Sequence, residues 1–325
     1  MIETPVTVEV LSSGRSSRDA LVEDVRRGLT KRPKELPPRW FYDERGSELF
    51  EQITRLPEYY LTRTEMEILG RRAGDIACKT LPEAIVELGS GSSTKTRILI
   101  HAARQAGTLS CFVPFDVSRE IVERSAREIA SEFPGLGVHA VIGEFGTDLR
   151  RIRRLGRQLV VFLGSTIGNF DDRERAAFLS AVHSLLAPAD SFLLGVDLVK
   201  DPAELITAYN DAAGVTAEFN RNVLSVINQE LGADFDLNAF EHVALYDSER
   251  HRIEMYLQSA CNQLVSIPGA RLRVSFDRGE LMRTEISAKF TRPIVEDFLH
   301  DADLRLADWY TDPEQRFGLA LATRA

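Results

Sequence analysis

Apolar residues recur along this chain in two rhythms, and the change between them divides it. In "SRDALVEDVRRGLT" (17–30), Leu21, Val25 and Leu29 fall at the spacing of one helix face. The stretch after it carries Pro37 and Pro38, which bias the backbone toward an extended approach before more helical sequence. From residue 83 the texture becomes short, continuous apolar runs. "EAIVEL" (83–88), "LSCFVPFDVS" (109–118), "GVHAVIGEF" (137–145), "RQLVVFLGSTIGNF" (157–170) and "SFLLGVDLV" (191–199) each predict a strand. Amphipathic segments at 94–107, 119–133 and 172–186 predict helices between them, the first closed by Gly107. Buried strands alternating with helices predict a parallel sheet covered on both faces.

That rhythm stops at residue 200. The stretch 200–243 reads as helical, and strands are expected near 252–260 and 281–290. The earlier pattern resumes with a helix at 292–302 and strands at 304–312 and 316–325. An interruption of this size is too long for a plain loop. The chain is therefore expected to be α/β with two domains. One comprises 61–198 plus 288–325 and holds the sheet. The other, 1–60 plus 199–287, is an α+β domain built from the N-terminus and the insertion.

Composition narrows the function. With 44% hydrophobic and 27% charged residues the chain is that of an ordinary globular protein. A net charge of −9 argues against nucleic acid, whose binders usually present basic surface to phosphate. The local exception, "RRIRRLGR" (150–157), is expected to be the solvated face of a short helix, with a docking patch as the alternative. Cys78, Cys111 and Cys261 are far apart, which suits free thiols in a reducing compartment. The six histidines lack ligand spacing, so no metal is expected. The N-terminus lacks a signal-peptide pattern, and no apolar run reaches the roughly 18 residues of a membrane span. A cytoplasmic monomer acting on a small molecule, without nucleic acid or membrane, is the expectation.

The chemistry concentrates at strand ends. In "AIVELGSGSSTKT" (84–96), Gly89 and Gly91 allow a tight turn and close approach to a ligand. A phosphate-binding P-loop needs a glycine where Thr94 stands, and so does the third position of a dinucleotide fingerprint. Asp116 closes the second strand, where an acid accepts bonds from both ribose hydroxyls. Glu144 follows the third strand as a candidate acceptor for an adenine amino group, with Phe145 alongside the ring. Two such acids favour an uncharged ribose and adenine over a triphosphate, and the sulfonium of S-adenosylmethionine is itself positive. S-adenosylmethionine, as cosubstrate, fits this loop best. Lys95 either reaches the ligand's carboxylate or is an exposed helix lysine.

Several motifs together resemble one family. They include "LPPRWFYDERGSELFEQITRLPEYYLTRTE" (36–65), "VELGSGSSTKTR" (86–97), "VPFDVS" (113–118), "FLGSTIGNF" (162–170), "VDLVKD" (196–201), "FNRNVLSVINQELGADFD" (219–236), "RIEMYL" (252–257) and "TEISAKF" (284–290). Covering nearly the whole chain, they are similar to the histidine Nα-methyltransferases of ergothioneine biosynthesis. The resemblance implies a class I methyltransferase with a Rossmann-like sheet that binds S-adenosylmethionine, plus a substrate-binding domain. The implied reaction is trimethylation of the α-amino group of L-histidine to hercynine. It further implies Tyr42 and Asn169 as catalytic residues, and Asn169, Tyr59 and Tyr209 as holding the substrate's carboxylate and amine. Glu285 and Ser287 would bind the imidazole, and Met255 would shape its pocket. Gly89, Lys95, Asp116, Glu144, Phe145 and Gly164 would serve the cosubstrate. One departure is visible: the family's third motif reads "GDF", whereas this chain reads "GEF", one methylene longer at Glu144.

These residue types suit the chemistry. Methyl transfer to an amine is an in-line displacement, so alignment does much of the work. Tyrosine rings tolerate the quaternary ammonium formed after a third methylation. A glutamate opposite an imidazole N–H makes a charge-assisted bond. Each also has a plainer reading. Asn169 is a plausible helix cap, Tyr59 and Met255 are plausible core, and Glu285 alternates with Ile286 as the polar face of a strand. Methylation of another aromatic amino acid such as tryptophan, or a non-catalytic module that senses S-adenosylmethionine, are the competing functions.

Overall fold

The computed structural model describes residues 6–11, 17–145 and 148–325. In chain order the strands are β1 (Val6–Val10), β2 (Lys34–Glu35), β3 (Ala84–Leu88), β4 (Cys111–Asp116), β5 (Gly137–Ile142), β6 (Gln158–Phe162) and β7 (Ser191–Asp197). They continue as β8 (Phe240–Asp247), β9 (Arg252–Ser259), β10 (Gln263–Ile267), β11 (Leu272–Phe276), β12 (Leu281–Ala288), β13 (Leu304–Thr311) and β14 (Phe317–Arg324). The helices are α1 (Ser17–Leu29), α2 (Glu44–Ile53), α3 (Tyr60–Thr80), α4 (Thr96–Gln105), α5 (Arg119–Glu132), α6 (Asp172–Leu185), α7 (Pro202–Ala208), α8 (Val215–Leu231) and α9 (Arg292–His300). Two units emerge: Met1–Ser13, Leu61–Val199 and Phe290–Ala325 in the first, Gly14–Tyr60 and Lys200–Lys289 in the second.

The first unit is built on an eight-stranded sheet ordered β1-β5-β4-β3-β6-β7-β14-β13. The strands from β1 to β7 run parallel, β14 is antiparallel to β7, and β13 is antiparallel to β14. Strands β3, β6 and β7 are buried at every position, as a sheet covered on both faces requires. Strand order reverses at β3, which lies between β4 and β6. Open α/β sheets bind ligands outside the carboxyl ends at such a point, because the two following connections leave in opposite directions there.

The second unit carries a four-stranded sheet, β2-β12-β9-β8, and a β10–β11 hairpin. Strand β9 alternates strictly between buried and half-buried positions, with Ile253, Met255 and Leu257 inward. Strand β12 does not. Its pairing with β9 shifts register between Arg283 and Glu285, and Thr284 and Glu285 are both buried. An extra residue in one strand moves every later side chain to the other side of the alternation. Glu285, Ser287 and Lys289 are consequently the buried set beyond it.

Four expectations need correction. Residues 1–60 do not lie wholly outside the sheet, since Val6–Val10 pairs in parallel with β5. The stretch 200–243 is not helical throughout: β8 begins at Phe240, after a one-turn 3-10 helix at Leu237–Ala239. The run 157–170 is strand only to Phe162. Gly164 and Ser165 then turn at φ of 77° and 56°, and a 3-10 turn follows at Thr166–Asn169. Finally, the arginine run is largely exposed, as expected, but it is mostly loop and not a helix face. Only Leu149–Arg151 is helical, as 3-10, and three of its arginines tie the loop down. Arg151 donates to the Leu11 carbonyl, Arg154 Nη1 lies 2.7 Å from the buried Asp190, and Arg157 Nε lies 2.7 Å from the Leu81 carbonyl.

Candidate active site

Two groups of functional side chains are described, one in each unit. In the first unit the loop after β3 is tied to the end of β4. The amides of Gly89 and Ser90 both donate to the Phe115 carbonyl, at 2.8 and 3.2 Å, and the Gly91 amide donates to Asp116 Oδ2 at 3.2 Å. Gly89 and Gly91 have φ of 69° and 47°, conformations in which a Cβ is strained. A Cβ on Gly89 would also lie 3.3 Å from Phe145 Cζ. The Phe145 ring packs against Phe115, Phe162, Phe170 and Phe178. Glu144 beside it is exposed, its amide donating to Asp148 Oδ2 at 3.0 Å.

Burial raises the Asp116 carboxyl above its ordinary range, and amide bonds from Ser118, Gly91 and Val117 only partly offset this. Additional donors, such as a pair of ribose hydroxyls, would stabilise its ionised form. Glu87 is more deeply buried. Burial pushes its carboxyl up to about 7, against the bonds from Thr96 and Ser93 and the charge of Lys95. Its Oε1 accepts from the Thr96 hydroxyl, while Oε2 makes no hydrogen bond among the described residues.

Lys95 is neither an exposed lysine nor free to move. Its Nζ lies 2.6 Å from Oε2 of Glu65, a carboxylate with no solvent exposure. Both Glu65 oxygens also accept from the Gly164 amide, at 2.9 and 3.0 Å. Sequence reasoning missed Glu65 because it sits inside the amphipathic pattern of α3 without a motif of its own. The contact is close on the far side too, where a Cβ on Gly195 would lie 2.1 Å from Glu65 Oε1. Asn169, at the end of the 3-10 turn, is half-buried and is not the cap of α6. Asp171 fills that role through a reciprocal capping box with Glu174.

In the second unit the tyrosines form a chain of ring contacts. Tyr42 meets Phe50 at 5.6 Å, Phe50 meets Tyr59 at 6.2 Å, and Tyr59 meets Tyr209 edge-on at 6.2 Å. Tyr42 is half-buried, while Tyr59 and Tyr209 are buried. The approach to Tyr42 is fixed by Asp43, which caps α2 through the Gly46 amide and accepts from Asn222 at 2.7 Å. Beyond Tyr209, Asp211 holds the start of α8. Burial would raise its carboxyl, but bonds from Thr216 and Val215 outweigh that and hold it below its usual range.

The Tyr209 hydroxyl lies 2.7 Å from Ser287 Oγ. The buried Lys289 donates to both oxygens, each at 2.9 Å. Glu285 stands directly opposite Met255 in the β9–β12 pairing. Only 8% of Glu285 is exposed, so the strand's polar face is not where it lies. Burial pushes its carboxyl up to about 7, although the Lys289 charge pulls the other way. Below it, Thr284 donates to Asn220, which bonds His242, whose Nε2 lies 2.9 Å from the Tyr209 carbonyl. This network links β12, α8 and β8 to the backbone of Tyr209. Lys289 was missed because "SAKF" has the ordinary look of a strand end.

A parallel sheet that reverses at a glycine loop, an acid closing the neighbouring strand, and an antiparallel β14 set between β7 and β13 define a class I S-adenosylmethionine-dependent methyltransferase. The loop fits that cosubstrate on its own terms, with Gly89 and Gly91 at positive φ and an Asp116 carboxyl that burial holds above its ordinary range. Residues 21–324 match the family of histidine-specific, S-adenosylmethionine-dependent methyltransferases, and the chain belongs to it. It is 53% identical to the histidine N-alpha-methyltransferase of Mycolicibacterium smegmatis, over 95% of this chain and 96% of that one. It is 52% identical to the protein of the same description in Mycobacterium tuberculosis, over 94% and 95%. The ergothioneine biosynthesis protein 1 of Neurospora crassa is 34% identical over 90% of this chain, which spans 33% of that longer protein. Among the described residues no group of His, Cys, Asp or Glu gathers to hold a metal, and no helix is long and apolar enough to cross a membrane.

Proposed function

We propose that this protein trimethylates the α-amino group of L-histidine to give hercynine, the first step of ergothioneine biosynthesis. The observation that carries the reading beyond family membership is the buried carboxylate of Glu285, set opposite Met255 and two residues from Ser287. A carboxylate so enclosed is costly without a partner, and an imidazole N–H supplies one. An indole or phenyl side chain would leave part of this polar set unanswered, which is how a site built for hydrogen bonds rejects an isostere.

The first unit is the cosubstrate's, through Gly89, Lys95, Asp116, Glu144, Phe145 and Gly164. S-adenosylmethionine brings an electrophilic methyl group, and the protein's own part is to bind, align and desolvate. Tyr59, Tyr209 and Asn169 are assigned to the amino acid's carboxylate and amine, with Tyr42 and Asn169 at the reacting nitrogen. The reacting amine must be neutral for an in-line displacement. Tyrosine faces also accommodate the cationic product, which no longer has an N–H to donate. The free thiols at Cys78, Cys111 and Cys261 suit the reducing cytoplasm.

Mass spectrometry of the purified protein with S-adenosylmethionine and each common amino acid in turn tests the reading. Mono-, di- and trimethylated histidine, with little product from tryptophan or tyrosine, is the expected outcome. Methylation of another amino acid instead would overturn the Glu285 assignment. Cosubstrate binding without any turnover would favour the sensing module.

A further inference from the structure

A line of hydrogen bonds runs from β12 through α8 and β8 to Tyr209, and the reading above gives it no role. Asn220 is fully buried within α8, a costly place for an amide unless its donors and its acceptor are met. Its side-chain nitrogen lies 2.9 Å from the Tyr256 carbonyl and 2.8 Å from His242 Nδ1. Its oxygen accepts from the Thr284 hydroxyl at 2.7 Å. A carbonyl only accepts, so the amide nitrogen and not the amide oxygen must face Tyr256. The second amide hydrogen then goes to His242, whose Nδ1 is bare. Across the ring, Nε2 lies 2.9 Å from the Tyr209 carbonyl, again a group that only accepts, so Nε2 carries the hydrogen. His242 is thereby held neutral in one tautomer, because a proton on Nδ1 would point at the Asn220 amide hydrogens. Burial lowers its pKa in the same sense, helped by the Arg221 charge and opposed by the Tyr209 carbonyl and Asp211.

We propose that His242 is a positioning residue: its Nε2–H fixes the backbone of Tyr209, and through Asn220 and Thr284 it ties that tyrosine to the strand carrying Glu285. One relay then sets both ends of the amino-acid site. This rests on the assignment of Tyr209 to the substrate's carboxylate and amine, and deepens it. Tyr209 is the C-cap of α7, where the helical ladder ends and carbonyls take their donors from outside it. A tyrosine hydroxyl stands far from its own Cα, so a small turn of the backbone displaces it enough to weaken a hydrogen bond to substrate. The register slip in β12 makes the other end possible, because it leaves Thr284 and Glu285 both buried. One residue anchors the relay while the next is set opposite Met255. The Thr284 hydroxyl also reaches the Met255 carbonyl, at 3.1 Å, so the relay touches both strands of the side-chain pocket.

The test exploits the two ring nitrogens. Glutamine places an amide N–H close to where Nε2 stands, whereas asparagine reaches only as far as Nδ1. His242→Asn is expected to raise the histidine KM about tenfold, with kcat within about threefold and S-adenosylmethionine binding unchanged. His242→Gln should bring the KM back to within about threefold of wild type. 4-Methylimidazole carries the ring but neither carboxylate nor amine. As a competitive inhibitor it should bind wild type and His242→Asn equally, within about twofold. A general loosening of the fold would raise its inhibition constant along with the KM, and that result would overturn the proposal. Equal KM values in the Asn and Gln variants would overturn it too. A KM unchanged in His242→Asn but raised in Tyr209→Phe would remove the relay and leave the Tyr209 assignment standing. No change in Tyr209→Phe would sink that assignment, and this inference with it. Should His242→Asn fail to fold, the wild-type enzyme still decides. The 15N spectrum of its labelled histidine rings should show His242 with Nε2 protonated and Nδ1 bare, and a protonated Nδ1 contradicts the proposal.

Discussion

The contact between Gly195 and Glu65 lends itself to a quantitative test. A Cβ at residue 195 would lie 2.1 Å from Glu65 Oε1. An ordinary carbon–oxygen contact is about 3.3 Å, so the carboxylate must retreat by roughly an ångström. It would then forfeit both bonds to the Gly164 amide and its ion pair with Lys95. Breaking a buried, hydrogen-bonded charge out of its setting costs about 3–5 kcal/mol. Gly195→Ala and Glu65→Ala should each destabilise the protein by about 3 kcal/mol, since each leaves the Gly164 amide and Lys95 without their partner. The double variant should not lose the sum. Once Glu65 is truncated, the new methyl has room, and a coupling of about 2 kcal/mol is expected between two residues in contact. Urea midpoints followed by far-ultraviolet circular dichroism give the three free energies. Calorimetric titration should show S-adenosylmethionine binding weakened about tenfold in each single variant and no further in the double. Additive losses would refute the claim that Gly195 exists to admit the Glu65 carboxylate.

Other outcomes follow from the same geometry. Asp116→Asn should weaken S-adenosylmethionine binding about 10- to 100-fold with little change in the histidine KM, as measured by titration and steady-state kinetics. Because burial holds the Glu285 carboxyl near 7, it is protonated in acid and ionises as the pH rises. Histidine kcat/KM should therefore climb through that range. Glu285→Gln should lose this limb, while histidine's own ring titration near 6.5 remains in both enzymes as a control. Asp171→Ala removes the capping box of α6 and should cost about 1 kcal/mol of stability with kcat unchanged; a fall in kcat would return a functional role to that turn.

The continuous apolar runs announced the sheet because strands buried on both faces have no polar alternation to hide them. "EAIVEL", "CFVPFD" and "SFLLGV" are each buried at or near every position in β3, β4 and β7. Strand β8 escaped because "FEHVALYD" is only weakly alternating and follows a long helical stretch. Strand β1 escaped because its valines are exposed at the sheet's edge. The site was legible where glycines and acids mark strand ends, and less so where tertiary packing decides. Nothing in "LMRTEISAKF" reveals that pairing slips between Arg283 and Glu285, yet that slip turns Glu285, Ser287 and Lys289 into buried groups. Glu65 and Lys289 were invisible for a related reason. A buried charge has the same letter as a solvated one, and only its partners distinguish them.

The central claim, that the α-nitrogen of histidine receives the methyl groups, is tested most directly with deuteromethyl S-adenosylmethionine. Fragmentation of the product in the mass spectrometer locates the label. Three labelled methyls lost together as trimethylamine, leaving an unlabelled imidazole fragment, is the result expected here. Label retained on the imidazole ring would contradict it.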